Sequence, residues 1–406
     1  QVYFLKYSID NISKNFIKVG HRFNYETKFY KFYQSKSDEY FSDSFIDVDI
    51  RDRSNFKTLE NNIFLEYNKP FTGRVKLNFK YISWNYFFEN DEYLENDRID
   101  QSIKTNQFAG EFIWKKNFFG IDFKTKIYNS LKKNYSSKYY LIDLSKIFFD
   151  QFLIKTKYQF RSIPPNFNFV LYQSDYTQYN WGKFEFDNQE ISTLTYTIEH
   201  PKWGYIMGEW NRLNKYTYFL NTTSLFYRNE KFDIIPTQQK KEIEYFKIKF
   251  FQNLKFGKFS FINTIQYQKV NQVDDPDLSF TPLALNVPEW LTRSTIAFSS
   301  DLFNRALYIQ TGFTFKFFTD YYADQYNPLI GEFVSQNNVK IGEYPMVDFF
   351  LNSKIQQTRV FLKIENLSGK IEHIINEDTK YDYYAAPYTP YRDFSIRFGL
   401  VWNFFQ

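Results

Sequence analysis

From Tyr391 to the end of the chain, large apolar side chains fall on every second residue. Phe394, Ile396, Phe398, Leu400, Trp402 and Phe404 share one parity, and Ser395, Arg397, Gly399 and Asn403 share the other. A period of two sends alternate side chains to opposite faces of a β-strand. One face is then almost wholly apolar, and the other is polar with a charge. The run continues to the chain end, with an aromatic as the penultimate residue. A half-buried strand of a soluble sheet can carry this pattern. A long chain without cysteine that closes this way has the ending of an outer-membrane barrel, whose apolar face meets lipid.

The chain has 406 residues, enough for two or three soluble domains or one large barrel. Its hydrophobic content is 43%, yet its mean hydropathy is −0.54. No stretch reaches the roughly 18 consecutive apolar residues of a membrane-spanning helix. Aromatic residues make up 23%, with 50 Phe and 35 Tyr. Barrels use such residues as girdles at both membrane interfaces. The alternative is a soluble β-sandwich or solenoid from an AT-rich genome, which also inflates Phe, Tyr, Lys, Asn and Ile. The absence of cysteine excludes disulfides and thiolate metal sites. Gln1 opens a polar-aromatic stretch with no basic and apolar leader, so the sequence reads as mature or trimmed. The net charge of +5 is spread over 51 basic and 46 acidic residues, which gives no footprint for nucleic acid.

Alternation recurs along the whole chain. In 73–88, Val75, Leu77, Phe79 and Tyr81 oppose Arg74, Lys76, Asn78 and Lys80. Comparable segments are 16–32, 57–68, 105–115, 119–129, 138–146, 150–161, 189–200, 202–221, 241–252, 258–270, 288–301, 305–319, 343–355, 358–367 and 391–405. The reading is therefore about sixteen strands, within a range of 14 to 18. The connections sort by length. Short turns follow even-numbered segments, as at 68–72, 116–118, 147–149, 201, 253–257, 301–304 and 356–357. Long polar connections mostly follow odd-numbered ones: 33–56, 89–104, 162–188, 222–240, 271–287, 320–342 and 368–390. Short periplasmic turns and long extracellular loops are the pattern of an outer-membrane barrel, and a sandwich has no reason to sort loops by parity. The sorting calls for an even strand count with both termini periplasmic. No linker or composition break appears, so 1–406 reads as one domain. Gly312 and Gly399 lie inside strands on the polar parity, where a bend or close packing of a loop accounts for them.

Several segments resemble a known family in the same order. They are IRDRSNFKTLENN (50–62), PPNFNFVLYQSDYTQYNW (164–181), NKYTYFLN (214–221), VPEWLTRSTIAFSSDLF (287–303), GEFVSQNNVKIGEYPMVDFFLNSKIQQTRVFLKIEN (331–366) and YYAAPYTPYRDFSIRFGLVWNFF (383–405). Together they resemble the Bacteroidota "putative porin" family over about 50–406. The resemblance implies an outer-membrane β-barrel of porin type. It gives architecture firmly and activity loosely, because site rather than fold decides function.

Enzymatic chemistry finds little support. Only His21, His200 and His373 are present, and none has a Ser or Asp at a telling spacing. No GxSxG, HExxH or phosphate-binding glycine loop occurs. The acidic runs 37–49, 89–97 and 274–277 lack EF-hand spacing and read as solvated loops rather than calcium sites. No cofactor and no metal are expected.

The polar parity of the strands is the functional surface. It carries Lys18, Arg22, Lys28, Arg74, Lys76, Lys80, Lys124, Lys126, Lys155, Lys157, Arg161, Lys247, Lys249, Arg293, Lys316, Arg359, Lys363 and Arg397. Against these stand Glu26, Glu60, Glu66, Glu111, Asp122, Asp348 and Glu365. A lumen lined in this way favours anions, unless the charges pair with one another or with lipopolysaccharide phosphates. The expectation is an all-β, single antiparallel transmembrane barrel in the bacterial outer membrane that passes small hydrophilic solutes. Loop 162–188 is the first choice for the constriction. The final strand, Phe394 to Phe404, faces lipid and carries the signal for the barrel-assembly machinery. Outer-membrane lipid and lipopolysaccharide are the expected surroundings. The alternative is a plugged barrel serving as a structural subunit, with other outer-membrane proteins or lipoproteins held by the long loops.

Overall fold

The computed structural model describes residues 2–10, 16–89, 93–94, 97–98, 102–132, 134–182, 185–221, 234–273, 283–369 and 384–402. One antiparallel sheet of 17 strands dominates it. In chain order these are β1 (Val2–Asp10), β2 (Phe16–Lys36), β3 (Val48–Lys69), β4 (Gly73–Phe88), β5 (Ser102–Phe118) and β6 (Ile121–Ser130). Next come β7 (Lys138–Phe148), β8 (Phe152–Ile163), β9 (Gln189–His200), β10 (Gly204–Asn214), β11 (Ile243–Phe256) and β12 (Phe259–Asn271). The last are β13 (Trp290–Leu302), β14 (Leu307–Phe318), β15 (Met346–Ile355), β16 (Thr358–Glu365) and β17 (Ser395–Trp402). Each strand pairs with the one before and the one after it, from β1–β2 through β16–β17. Among the described residues no ladder joins β17 back to β1. Among these residues no helix is long and apolar enough to cross a membrane.

Each of the sixteen expected segments contains a strand of this sheet, but 202–221 leaves it at Asn214, and Thr217–Asn221 joins a separate sheet. Two further differences follow from length and number. Residues 33–56, read as a long connection, are mostly strand: β2 runs 21 residues and β3 runs 22, leaving 37–47 between them. About 9–11 residues cross a bilayer, so these strands project well beyond one. β1 was not foreseen, and it makes the described count odd, where the loop sorting called for an even one. Val2 pairs with Asn24, halfway along β2. The described chain thus starts at mid-height, whereas β17 ends beside Thr358 at the short-turn end.

The short turns have physical causes. Phe119 and Gly120 both take positive φ, 51° and 79°. Two consecutive left-handed residues give the hairpin turn that matches strand twist. Gly204 (φ 95°) begins β10 where a Cβ would strike the Phe251 carbonyl on β11. Gly312 abuts the backbone of Ile296 and Ala297 on the preceding strand, and the Phe361 ring lies over Gly399. Neither glycine makes room for a loop.

At the opposite end the long connections fold together. Thr217–Asn221 pairs antiparallel with Ile234–Gln238 and parallel with Glu332–Ser335, which pairs in turn with Gln325–Asn327. Isolated bridges join Ser44 to Tyr176 and Tyr172 to Trp181. The resulting cap has an aromatic core that includes Phe41, Phe169, Tyr172, Tyr176, Tyr179, Trp181, Phe219 and Leu329.

Candidate functional site: the polar wall and its cap

Cross-strand register shows which side chains share a face of the wall. Lys18 and Glu66, Arg22 and Asn62, Lys76 and Glu66, and Lys80 and Asn62 are directly opposed. The same face continues through Glu111, Lys126, Asp143, Lys157, Glu209 and Lys247 to Asp348, Lys363 and Arg397. Carboxylates hold many of the cations there. Arg74 bonds Glu66 at 2.5 Å, and Lys126 bonds Glu111 at 2.5 Å. Lys80 lies 3.7 Å from Glu60 and 3.9 Å from Glu111. Lys155 pairs with Glu199 and Lys247 with Glu209, each at 2.9 Å. Lys316 reaches Asp348 at 2.6 Å, Lys363 reaches Glu365 at 2.5 Å, and Arg397 reaches Glu365 at 2.9 Å. Nearer the cap, Lys28 pairs with Glu26 at 3.0 Å.

Among the described residues, Lys18, Lys76, Lys124, Lys157, Arg161, Lys249, Arg293 and Arg359 make no ion pair. Lys18 and Lys76 instead lie over the rings of Phe16 and Phe64, at 4.3 and 4.4 Å. Asp122 accepts from Asn117 at 2.9 Å. Sequence reasoning missed Asp143, Glu199 and Glu209. Asp143 was legible in the alternation of Tyr139, Leu141, Asp143 and Ser145. Glu209 was masked because Arg212 puts a charge on the other face of β10, where it stacks on Trp210 at 4.5 Å. The cation excess of the polar face is therefore smaller than the sequence count.

The opposite face is apolar and open. Ile396, Phe398, Leu400 and Trp402 of β17 are all more than half exposed, and Phe394 just before it is 36% exposed. Phe404 lies outside the described residues, as does His373. His21 is on this face, bonded to Asn61 at 3.2 Å. His200 closes a short turn, bonded to Gln151 at 3.0 Å and stacked on Trp203 at 4.3 Å. Neither sits beside a nucleophile, and no cluster of three potential metal ligands occurs among the described residues.

The cap is anchored to the polar face. Ser174 Oγ and the Asp175 N–H donate to Asp52, at 2.5 and 2.8 Å. Tyr176 donates its hydroxyl to Gln34 at 2.7 Å, and Tyr30 donates to the Pro328 carbonyl. The Phe167 ring packs on Phe56, Trp84 and Tyr86, and Tyr172 packs on Phe88. Every wall residue in these contacts is even-numbered, as are Lys18, Arg22, Glu66, Arg74 and Lys80. Loop 164–182, the expected constriction, thus lies across the upper end of the charged face and shares that position with 37–47, 217–221 and 325–335. Beneath it is a cavity of about 590 Å³ lined by Lys28, Ser54, Trp84, Phe167, Asn168 and Glu332, among others.

Two carboxyls of the cap are pushed above their usual range. Burial raises Asp324 to about 6. Burial also raises Glu332, opposed by the hydrogen bond from Asn168 at 2.5 Å.

A family model described as "Putative porin" matches residues 1–406. The chain belongs to that family. Its fold is similar to outer-membrane receptors of known structure. The siderophore receptor PirA of Acinetobacter baumannii superposes with a TM-score of 0.61 at 11% identity, over 91% of this chain and 58% of the receptor. The FrpB iron transporter of Neisseria meningitidis gives 0.60 at 9%, over 91% and 59%. A mutant of the ferric enterobactin receptor PfeA of Pseudomonas aeruginosa gives 0.59 at 9%, over 91% and 56%. At these identities the likeness is one of fold, and the chain spans less than two thirds of each structure. No curated protein matches the sequence. The chain is thus a member of the putative porin family whose sheet has the fold of these outer-membrane receptors.

Proposed function

We propose that the protein is a passive diffusion channel for small hydrophilic solutes, with the cap as its constriction. One observation carries this reading: a continuous face of ionised and amide side chains runs along the wall and ends beneath the cap. In a closed barrel of this size such a face lines water. The apolar face, ending in Phe394, Ile396, Phe398, Leu400 and Trp402, then meets lipid and lipopolysaccharide. The aromatic last strand serves as the signal to the assembly machinery. The cap lies outside the cell, and the short turns and the end of β17 are periplasmic. No step of this function needs a cofactor or a catalytic group.

The unpaired cations Lys124, Lys157, Arg161, Lys249, Arg293 and Arg359 give the lumen a mild preference for anions. Single-channel recording in a planar bilayer under a salt gradient tests both claims. Nanosiemens steps with an anion-favouring reversal potential are expected. A cation-favouring potential removes the selectivity claim. A silent, correctly folded protein overturns diffusion altogether. Silence would favour the second reading, a plugged structural subunit, which draws on the dense aromatic packing of the cap. That subunit would hold other outer-membrane proteins or lipoproteins through its loops, and they would co-purify in mild detergent.

A further inference from the structure

Inside the cap, apart from the cavity above the lumen, is a second cavity of about 180 Å³. Asp324 and Ser335 line it together with Tyr216, Tyr218 and Phe333. Ser335 is only 2% exposed, and its Oγ has no hydrogen-bond partner among the described residues. Asp324 Oδ1 is likewise enclosed and unpartnered. The strand register explains why the two come together. Gln325 pairs with Val334, so one step further along the ladder Asp324 falls opposite Ser335. A buried carboxylate without a donor is a costly arrangement that native proteins seldom leave unanswered.

We propose that this cavity binds a compact primary ammonium ion. An –NH₃⁺ group has three donors, and the cavity offers it Asp324 Oδ1 and Ser335 Oγ, neither of which has a partner among the described residues. Aromatic rings around a carboxylate suit an organic cation, because their faces attract positive charge. Tyr216 and Tyr218 lie beside the site with their ring centroids 6.4 Å apart. A calcium ion needs six to eight oxygens, more than one carboxylate and a hydroxyl supply. The volume is below the roughly 300 Å³ at which drug-sized sites begin, so the ligand is small. Its acceptors belong to the 319–345 connection, while flanking rings come also from 215–242. Occupancy would therefore tie separate segments of the cap together.

The test is calorimetric titration of the detergent-solubilised full chain with ethylammonium chloride. Tetramethylammonium and calcium chloride serve as parallel probes. Saturable one-to-one binding of ethylammonium is expected, weakened at least tenfold by Asp324→Asn and several-fold by Ser335→Ala. Tetramethylammonium, which has the charge but no N–H, should bind at least tenfold more weakly. Equal binding of the two ammonium ions, preference for calcium, or no saturable binding by the native protein each overturns the proposal, the last meaning that the cavity holds water. Both variants keep the cap's aromatic core, and their circular dichroism must match the native protein. If Asp324→Asn fails that check, Ser335→Ala decides alone: undiminished ethylammonium binding overturns the site.

Discussion

The wall and the cap use the same residue types in opposite senses. On the wall, Phe79 is 63% exposed and Phe398 70% exposed, while Glu66 and Glu111 are nearly hidden. In the cap, Tyr176 and Phe219 are at most 1% exposed, as in the core of a water-soluble protein. Apolar burial stabilises the cap directly, because its rings leave water. In the proposed channel the apolar side chains of the wall would gain their free energy from lipid, while its polar ones pair with each other. The comparison separates what holds each region, and substitutions can test the two accounts against one another.

The largest effect should come from removing a cap ring. Phe219→Ala deletes a fully buried aromatic and should destabilise the cap by about 3–5 kcal/mol. Phe398→Ala, on the exposed wall face, should leave the cap unchanged. Amide exchange at 164–182 and 325–335 reads the difference: fast exchange in the first variant only. Equal protection in both would mean that the aromatic core does not hold the cap.

Next in size is the buried carboxyl. Asp324 has a folded-state pKa of about 6 against an ordinary 3.8. Tyr216 and Tyr321 face it, and neither supplies a positive charge. A raised carboxyl pKa means that the folded state holds its proton more tightly than the unfolded state. Stability then falls as pH rises from about 4 to about 6, and above that the penalty is constant, at most ~3 kcal/mol by linkage. Asp324→Asn should weaken this dependence, leaving the part that the raised Glu332 contributes, and strengthen the cap at neutral pH. Cap protection measured between pH 4.5 and 7.5 without amine checks it. A native profile that rises with pH would contradict the burial argument.

These two predictions mark where the sequence was readable. A period of two is local information, and it revealed every strand of the large sheet from Phe16 onward, together with the face on which Lys80, Lys247 and Arg397 stand. Loop lengths supplied the up-and-down order. The cap was not readable, because its contacts are far apart in sequence. Tyr176 meets Gln34 and Asp38, Tyr172 meets Leu329, and Asn168 meets Glu332. No periodicity encodes such meetings. The acidic run 37–49 read as a solvated loop, yet its Phe41 is buried in the aromatic core of the cap. β1 escaped for a different reason: its nine residues precede the first clear alternation, and only the β2 ladder defines it.

A smaller effect should come from the anchor between the two regions. Asp52 accepts from Ser174 and from the Asp175 N–H. Asp52→Ala leaves both donors buried without a partner, at about 1–3 kcal/mol. The penalty should appear as faster exchange in 164–182, with 325–335 less affected. Uniform loss across the cap would instead make Asp52 part of one cooperative unit, and the distinction between anchor and core would fail.

The smallest effect should come from an ion pair of the wall. Glu111 faces both Lys80 and Lys126 and also accepts from Asn78 at 2.9 Å. Glu111→Gln keeps the shape and removes the charge. Strands on either side hold the backbone, so the change in stability should be about 1 kcal/mol or less. Its informative consequence is electrical. Two lysines lose their counter-charge where the proposed lumen runs, so the reversal potential should move toward stronger anion preference. The mirror variant, Lys126→Gln, should move it the other way. A shift of the same sign in both would show that these charges act through the position of the cap rather than through the field of the wall.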